Sequence, residues 1–193
     1  MVFLRVLAFW NVGTEPKPRS TRPKQQTAKK LLVIIFWNIH GPLLIRGVEK
    51  GKTFDSELAC ELLQELEGEV CKQRPKTGAN GMLLHWDNAR PHVSETTQGE
   101  VKRLGFKILL HPAYSPDLAP SDFFLFGYLK GVFAGRRFTG PEDLLAQIMA
   151  EMVKIPRETF EKVYHEWIER ATWVLANGGD YSRVTQATQF REK

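Results

Sequence analysis

The sequence has very little cysteine and no long apolar run. No stretch reaches the roughly 18 consecutive apolar residues that predict a membrane-spanning helix. Cys60 and Cys71 lie eleven residues apart on one predicted helix, which separates them by roughly 16 Å at 1.5 Å per residue. A disulfide needs Cα atoms within about 7 Å of each other. Both thiols are therefore expected to be reduced, as in the cytosol or the nucleus.

Acidic residues are also missing from the start of the chain, where Glu15 is the first. Residues 11–30 contain three prolines and six cations against this one acid. The prolines exclude a helix, and an extended basic segment suits a DNA backbone, because phosphate contacts need only positive charge and reach. A solvated loop between strands is an equally good interpretation. The six cations are Lys17, Arg19, Arg22, Lys24, Lys29 and Lys30.

The overall composition predicts one globular domain. The chain has 193 residues, of which 42% are hydrophobic and 25% charged, and its net charge is +5. That charge suits a polyanionic partner, although an ordinary, slightly basic protein would also carry it. Residues 1–10 are apolar but have neither a basic leader nor a small-residue cleavage site. We interpret them as the cut edge of a sheet rather than as a signal peptide.

Hydrophobic periodicity predicts strands first and then mainly helices, which is typical of an α/β domain. Residues 31–37 (LLVIIFW) suit a strand buried on both faces, and residues 43–48 suit its hairpin partner after a turn at Asn38 and His40. Residues 53–74 predict a helix whose apolar stripe packs in the core and whose acids face solvent. Further strands are expected at 82–84 and 106–110. Helices are expected at 94–104, 121–133, 141–153 and 156–177.

Two segments place an aspartate at the edge of an apolar element. Asp87 follows the strand at 82–84, and Asp122 opens the helix at 121–133 with Ser121 as its N-cap. Carboxylates at the carboxyl end of a strand are what an open α/β sheet uses to hold metal and substrate. Two such hard oxygen ligands brought together can hold Mg²⁺.

The segments themselves are LHWDNARPH (residues 84–92) and HPAYSPDLAPSDFFLF (residues 111–126), with 34 residues between Asp87 and Asp122. In sequence, order and acidic spacing they resemble the catalytic core of mariner-type transposases, of the DDE/D superfamily. Weaker similarity extends over about residues 28 to 182.

This resemblance implies an RNase H-like mixed sheet flanked by helices. It also implies an endonuclease that cuts and joins DNA with three carboxylates and Mg²⁺ or Mn²⁺, acts as a dimer and works in the nucleus. Asp87 would be the second carboxylate and Asp122 the third, both as catalytic residues and as metal ligands. The first belongs on the opening strand of the fold, which we expect to be missing.

The expected organisation is therefore a basic segment (1–30), a catalytic core (31–182) and a polar tail (183–193). With one carboxylate absent, metal binding should be weak and the chain inactive or nearly so. Asn88 and His92 would support a carboxylate or phosphate from a second layer, although His92 is as well suited to cap the next helix. Asp117 is expected to form a turn.

Two other functions fit the same residues less well. One is a relic or domesticated core that binds DNA or a protein partner without cutting, which the absent first Asp favours. The other is a zinc-type hydrolase site built from His85, Asp87, His92 and His111. Tight zinc binding, weak magnesium binding or no metal binding would separate the three.

Overall fold

The computed structural model describes residues 1–9, 31–48 and 51–180. The six cations expected to contact DNA, together with Glu15, lie outside the described residues, and so does the polar tail. Within the described part, none of the helices is long and apolar enough to cross a membrane. Cys60 and Cys71 are both free thiols, as expected.

A five-stranded mixed sheet forms the centre of the described structure, with strand order β3-β2-β1-β4-β5. β1 runs antiparallel to β2, and β2 runs antiparallel to β3. On its other side β1 pairs parallel to β4, which in turn pairs parallel to β5. The strands are β1 (Val2–Phe9), β2 (Leu31–Asn38), β3 (Gly41–Gly47), β4 (Leu83–His85) and β5 (Lys107–Leu109).

The first strand is present, so the expectation that it is missing is wrong. β1 is not a cut edge either, because it occupies the middle of the sheet. Its register with β2 runs from the Phe3–Trp37 pair to the Phe9–Leu31 pair. Val2, Phe3 and Leu4 are at most 7% exposed, as expected for a strand that is covered on both faces. The mixed α/β, RNase H-like class is confirmed.

Helices cover both faces of the sheet. The helices are α1 (Ser56–Gln73), α2 (Arg90–Val93), α3 (Glu95–Arg103), α4 (Gly127–Val132), α5 (Pro141–Lys154) and α6 (Arg157–Ala176). A short 3₁₀ helix spans Pro116–Leu118, and a π-helix over Ser121–Phe126 leads directly into α4. Each predicted helix and strand is found, with ends shifted by at most three residues.

The alternation of side chains along β2 divides the core into two layers. Ile34 and Phe36 point to the layer that contains the buried stripe of α1. Ile35 and Trp37 point to the layer formed with α4, α5 and α6. All four residues are at most 1% exposed, which explains why β2 is a continuous apolar run.

Candidate active site

Asp87 lies just beyond the carboxyl end of β4, the strand that pairs with central β1. The preceding Trp86 is buried, whereas the Asp87 side chain is 56% exposed. One Asp87 carboxylate oxygen accepts a hydrogen bond from the Ala89 backbone N–H at 3.1 Å. The strand end thus presents this carboxylate at the protein surface while its neighbour anchors the chain in the core.

His92 contacts the Asp87 carboxylate through its ring nitrogen Nδ1. Its Nδ1 lies 2.8 Å from Asp87 Oδ1 and 3.0 Å from the Asp87 carbonyl oxygen. The ring stacks on Trp86 at 4.4 Å with an interplanar angle of 3°, and its edge meets Phe54 at 5.2 Å. Ser94, rather than His92, caps α3, because its Oγ accepts from the Thr97 N–H. The structure therefore places His92 against a carboxylate and not as the cap of α3.

Asn88 ties the Asp87 loop to the segment that follows β5. Its Nδ2 donates a hydrogen bond of 2.7 Å to the His111 carbonyl oxygen. His111 belongs to the stretch that leads to Asp122, so this contact joins the two halves of the site.

Asp122 lies on the first turn of the π-helix. Its N–H donates to the Ala119 carbonyl oxygen at 2.8 Å. Ser121 is not an N-cap, contrary to expectation, since Pro120 holds that position without a side-chain cap. The buried Ser121 Oγ instead accepts a hydrogen bond of 3.0 Å from the Trp37 indole N–H. A hydrogen bond from β2 thus fixes the helix that carries Asp122.

α6 holds the loop before Asp122, a role that sequence reasoning missed. Trp167 Nε1 donates to the Leu118 carbonyl oxygen at 2.9 Å. Arg170 is buried, pairs with Glu166 at 2.6 Å and lies 4.3 Å from the Phe123 ring centre. Its Nη1 also reaches the Asp117 carbonyl oxygen at 3.5 Å.

Asp117 itself occupies the 3₁₀ helix and is 4% exposed. It lies in a turn, as expected, but inside the protein. The amphipathic pattern of α6 gave no sign of these contacts, because their partners lie about 50 residues away in the sequence.

The structure brings Asp87 and Asp122 to one cavity of about 250 Å³. Leu4 of β1 lines the same cavity and is 7% exposed. An adjoining groove shares both carboxylates and is also lined by Asn88 and Tyr114. At the point where β1 meets the two carboxylates, this chain therefore presents an apolar side chain.

Two histidines, His85 and His111, also line the cavity. His111 Nδ1 and His85 Nε2 are 3.2 Å apart. Burial, together with the nearby His111, lowers the pKa of His85 to about 4. Burial also lowers the pKa of His111, although Asp87, Asp122 and Asp117 oppose that effect. Neither ring is expected to carry a charge at neutral pH, so the two histidines do not neutralise the negative charge of Asp87 and Asp122.

The donor set fits one divalent ion better than two. Asp87 and Asp122 supply the hard oxygen ligands that Mg²⁺ and Mn²⁺ take, and water would complete the coordination. Among residues 1–9, 31–48 and 51–180, no group of three His, Cys, Asp or Glu side chains is arranged to hold a metal ion. The zinc-type site of His85, Asp87, His92 and His111 is accordingly not formed.

Comparison with known sequences shows similarity to transposases. A family model described as "Transposase (partial DDE domain)" matches residues 7–79. The Mariner Mos1 transposase of Drosophila mauritiana is 27% identical over 170 residues, which cover 86% of this chain and 49% of that protein. The Homo sapiens histone-lysine N-methyltransferase SETMAR is 34% identical over 116 residues, which cover 60% of this chain and 17% of that protein.

Solved structures of Mos1 mariner transposase have the same fold as this chain. The catalytic domain of Mos1 mariner transposase matches with a TM-score of 0.78 at 23% identity, over 94% of this chain and 84% of that one. A Mos1 mariner paired end complex with Mn matches with a TM-score of 0.81 at 23% identity, over 94% and 56%. Together these matches support a mariner-type transposase catalytic core. The chain spans about half the length of Mos1 transposase and a smaller share of SETMAR.

We predict that Arg170→Ala destabilises the chain by about 3 kcal/mol, because it leaves Glu166 half-buried without its partner. Arg157→Ala on the same helix is the matched control, since its pair with Glu161 is exposed and worth at most about 0.5 kcal/mol. Urea unfolding of the two variants measures the difference. Equal losses would contradict a structural role for Arg170.

We also predict that stability falls as pH is lowered from 7 to 4 and that His85 causes part of the fall. The pKa of His85 is about 4 in the folded chain and about 6.5 when unfolded, so the unfolded state takes up the proton first. The stabilising effect is complete above pH 6.5 and is lost as pH falls towards 4, a change of roughly 3 kcal/mol.

The measurement is the free energy of unfolding against pH for the unsubstituted chain and for His85→Gln, which does not titrate. Between pH 7 and pH 4, the free energy of unfolding should fall further for the unsubstituted chain than for His85→Gln. Parallel curves between pH 7 and pH 4 would show that His85 is not protonated differently in the two states.

Proposed function

We propose that this chain is a mariner-type transposase core that binds DNA and is deficient in the phosphodiester cleavage and strand transfer of that family. The observation that carries the proposal is Leu4, whose side chain lines the cavity of Asp87 and Asp122. β1 has the sequence VFLRVLAF, without Asp or Glu. The strand that adjoins the site therefore supplies no third carboxylate.

The chemistry explains why one missing carboxylate matters. Asp87 and Asp122 would hold a divalent ion, which would supply the Lewis acidity that phosphodiester cleavage needs. These two carboxylates alone would hold one ion weakly, and a third carboxylate would be needed to anchor a second ion. His92 would keep Asp87 oriented towards the cavity through its 2.8 Å contact. The retained pair thus supports weak metal binding without the second anchor.

Charge and family context support DNA as the partner. The net charge of +5 favours a polyanion, and six cations lie between residues 11 and 30. Mos1 transposase has been solved with its left transposon end in a paired-end complex, which also motivates the proposal of a homodimer. A nuclear location follows from the proposed substrate.

The second candidate function is a module that binds DNA or a protein without any cutting. The similarity to SETMAR supports it, because that relative is named for histone-lysine methylation. The two candidates differ in one respect: a deficient nuclease should regain activity when its carboxylate is supplied, whereas a module adapted to binding alone should not.

We predict that Leu4→Asp confers Mn²⁺-dependent nicking of supercoiled plasmid, while the unsubstituted chain nicks weakly or not at all. The new carboxylate would enter the cavity beside Asp87 and Asp122. Leu4→Asn is the matched control, because the Asn side chain has nearly the same shape as that of Asp and carries no charge. Adding Asp87→Asn to Leu4→Asp should abolish the nicking again.

Thermal unfolding with and without Mn²⁺ measures metal binding independently of nicking activity. Mn²⁺ should raise the melting temperature of Leu4→Asp more than that of Leu4→Asn, because a ligand that binds only the folded state stabilises it. Strong nicking by the unsubstituted chain that Asp87→Ala abolishes would contradict the proposed deficiency. A folded Leu4→Asp chain with neither nicking nor an Mn²⁺ shift would contradict the assignment of Leu4.

A further inference from the structure

Tyr114 has an unusual combination of exposure and backbone conformation. Its side chain is 100% exposed, the highest value among the exposed large hydrophobic residues of the described structure. Its φ of +56° makes it the one non-glycine residue with a positive φ in residues 1–9, 31–48 and 51–180. A bulky residue in this region costs of order 1–3 kcal/mol, and such strain concentrates at ligand-binding sites.

The loop around Tyr114 is held firmly in place. The Asn88 side chain fixes the His111 carbonyl at 2.7 Å, and the Ser115 hydroxyl donates to the Ala113 carbonyl at 3.1 Å. Pro112 and Pro116 restrict the backbone on either side. The ring is therefore presented outward by a rigid segment, which lowers the entropy lost when it binds a flat partner.

The position of Tyr114 indicates what that partner is. Tyr114 lines the groove that also contains Asp87 and Asp122, so whatever it touches lies next to the reactive phosphate of a bound strand. Among the described residues, the lining of this groove includes no Lys or Arg and has two prolines and two alanines. Phosphates would find no cation among these residues, whereas the face of a base would find an aromatic ring and apolar side chains.

We propose that Tyr114 stacks on an unpaired base of the DNA strand whose phosphate lies at Asp87 and Asp122. An unpaired base is required because the faces of a base inside a duplex are covered by its neighbours. Stacking on an exposed aromatic ring tolerates any base and uses the ring face alone. The inference rests on the proposed DNA binding and assigns Tyr114 as a positioning residue of the substrate strand.

The experiment compares the binding of two DNA probes to the full chain in Ca²⁺. One probe is a blunt duplex, and the other carries a short single-stranded tail containing 2-aminopurine, whose fluorescence is quenched by stacking. Tyr114→Phe keeps the ring, and Tyr114→Asn removes it while tolerating the positive φ. Leu175→Ala, which truncates another exposed apolar side chain at 83% exposure, is the control for unspecific surface effects.

The unsubstituted chain, Tyr114→Phe and Leu175→Ala should quench the tailed probe and bind it equally well. Tyr114→Asn should bind it roughly tenfold or more weakly, the loss expected for one base–aromatic stack, and should quench it less. Its affinity for the blunt duplex should be unchanged. Its melting temperature should not fall, because Asn removes no buried contact, and this separates stacking from a structural role.

Several results would overturn the inference. Equal binding and quenching by Tyr114→Asn, with DNA binding intact, would refute the stacking role alone. A change in self-association of Tyr114→Asn without a change in DNA binding would assign the ring to a contact between copies of the chain instead. No binding of either probe by the unsubstituted chain would refute the proposed function together with the inference.

Discussion

The pairing of β1 with both β2 and β4 is the constraint on which the site depends. β1 is the strand that connects the antiparallel hairpin of β2 and β3 to the parallel pair β4 and β5. Because β1 lies between β2 and β4, its pairing fixes the carboxyl end of β4, and therefore Asp87, relative to β2. Because β2 in turn donates the Trp37 hydrogen bond to Ser121, the same sheet also determines where Asp122 lies.

Each carboxylate is positioned by groups from neighbouring elements. On the Asp87 side, an imidazole stacked on Trp86 reaches the carboxylate, so the contact is fixed by packing as well as by hydrogen bonding. On the Asp122 side, two residues of α6 hold backbone carbonyls of the preceding loop. Asp87 and Asp122 thus line one cavity, to which β1 contributes the apolar Leu4.

Local patterns in the sequence predicted most of the fold. The run at residues 31–37 is buried on both faces, as its composition indicated, and the α1 stripe packs in the core as its periodicity indicated. The two aspartates could be identified because each lies at the edge of an apolar element, Asp87 after a strand and Asp122 at the start of a helix. That they line one cavity could be expected only from the family resemblance, since 34 residues separate them.

Three features were out of reach of such patterns. An apolar strand at the chain start looks the same at a sheet edge and at its centre, and only the pairing with β2 and β4 decides. The π-helix at Asp122 depends on a bond from a strand 84 residues earlier, which no local signal records. Arg170 reads as a surface cation of an amphipathic helix, yet it is buried because Glu166 and Phe123 enclose it.

The most direct test of the account is to locate metal in a crystal of the unsubstituted chain soaked with Mn²⁺. Anomalous scattering would reveal each ion independently of any activity. The account predicts at most one peak, between Asp87 and Asp122, with water rather than protein on the side of Leu4. Two ions about 3.5–4 Å apart, the spacing of an intact two-metal site, would contradict the claim that this core lacks its third ligand.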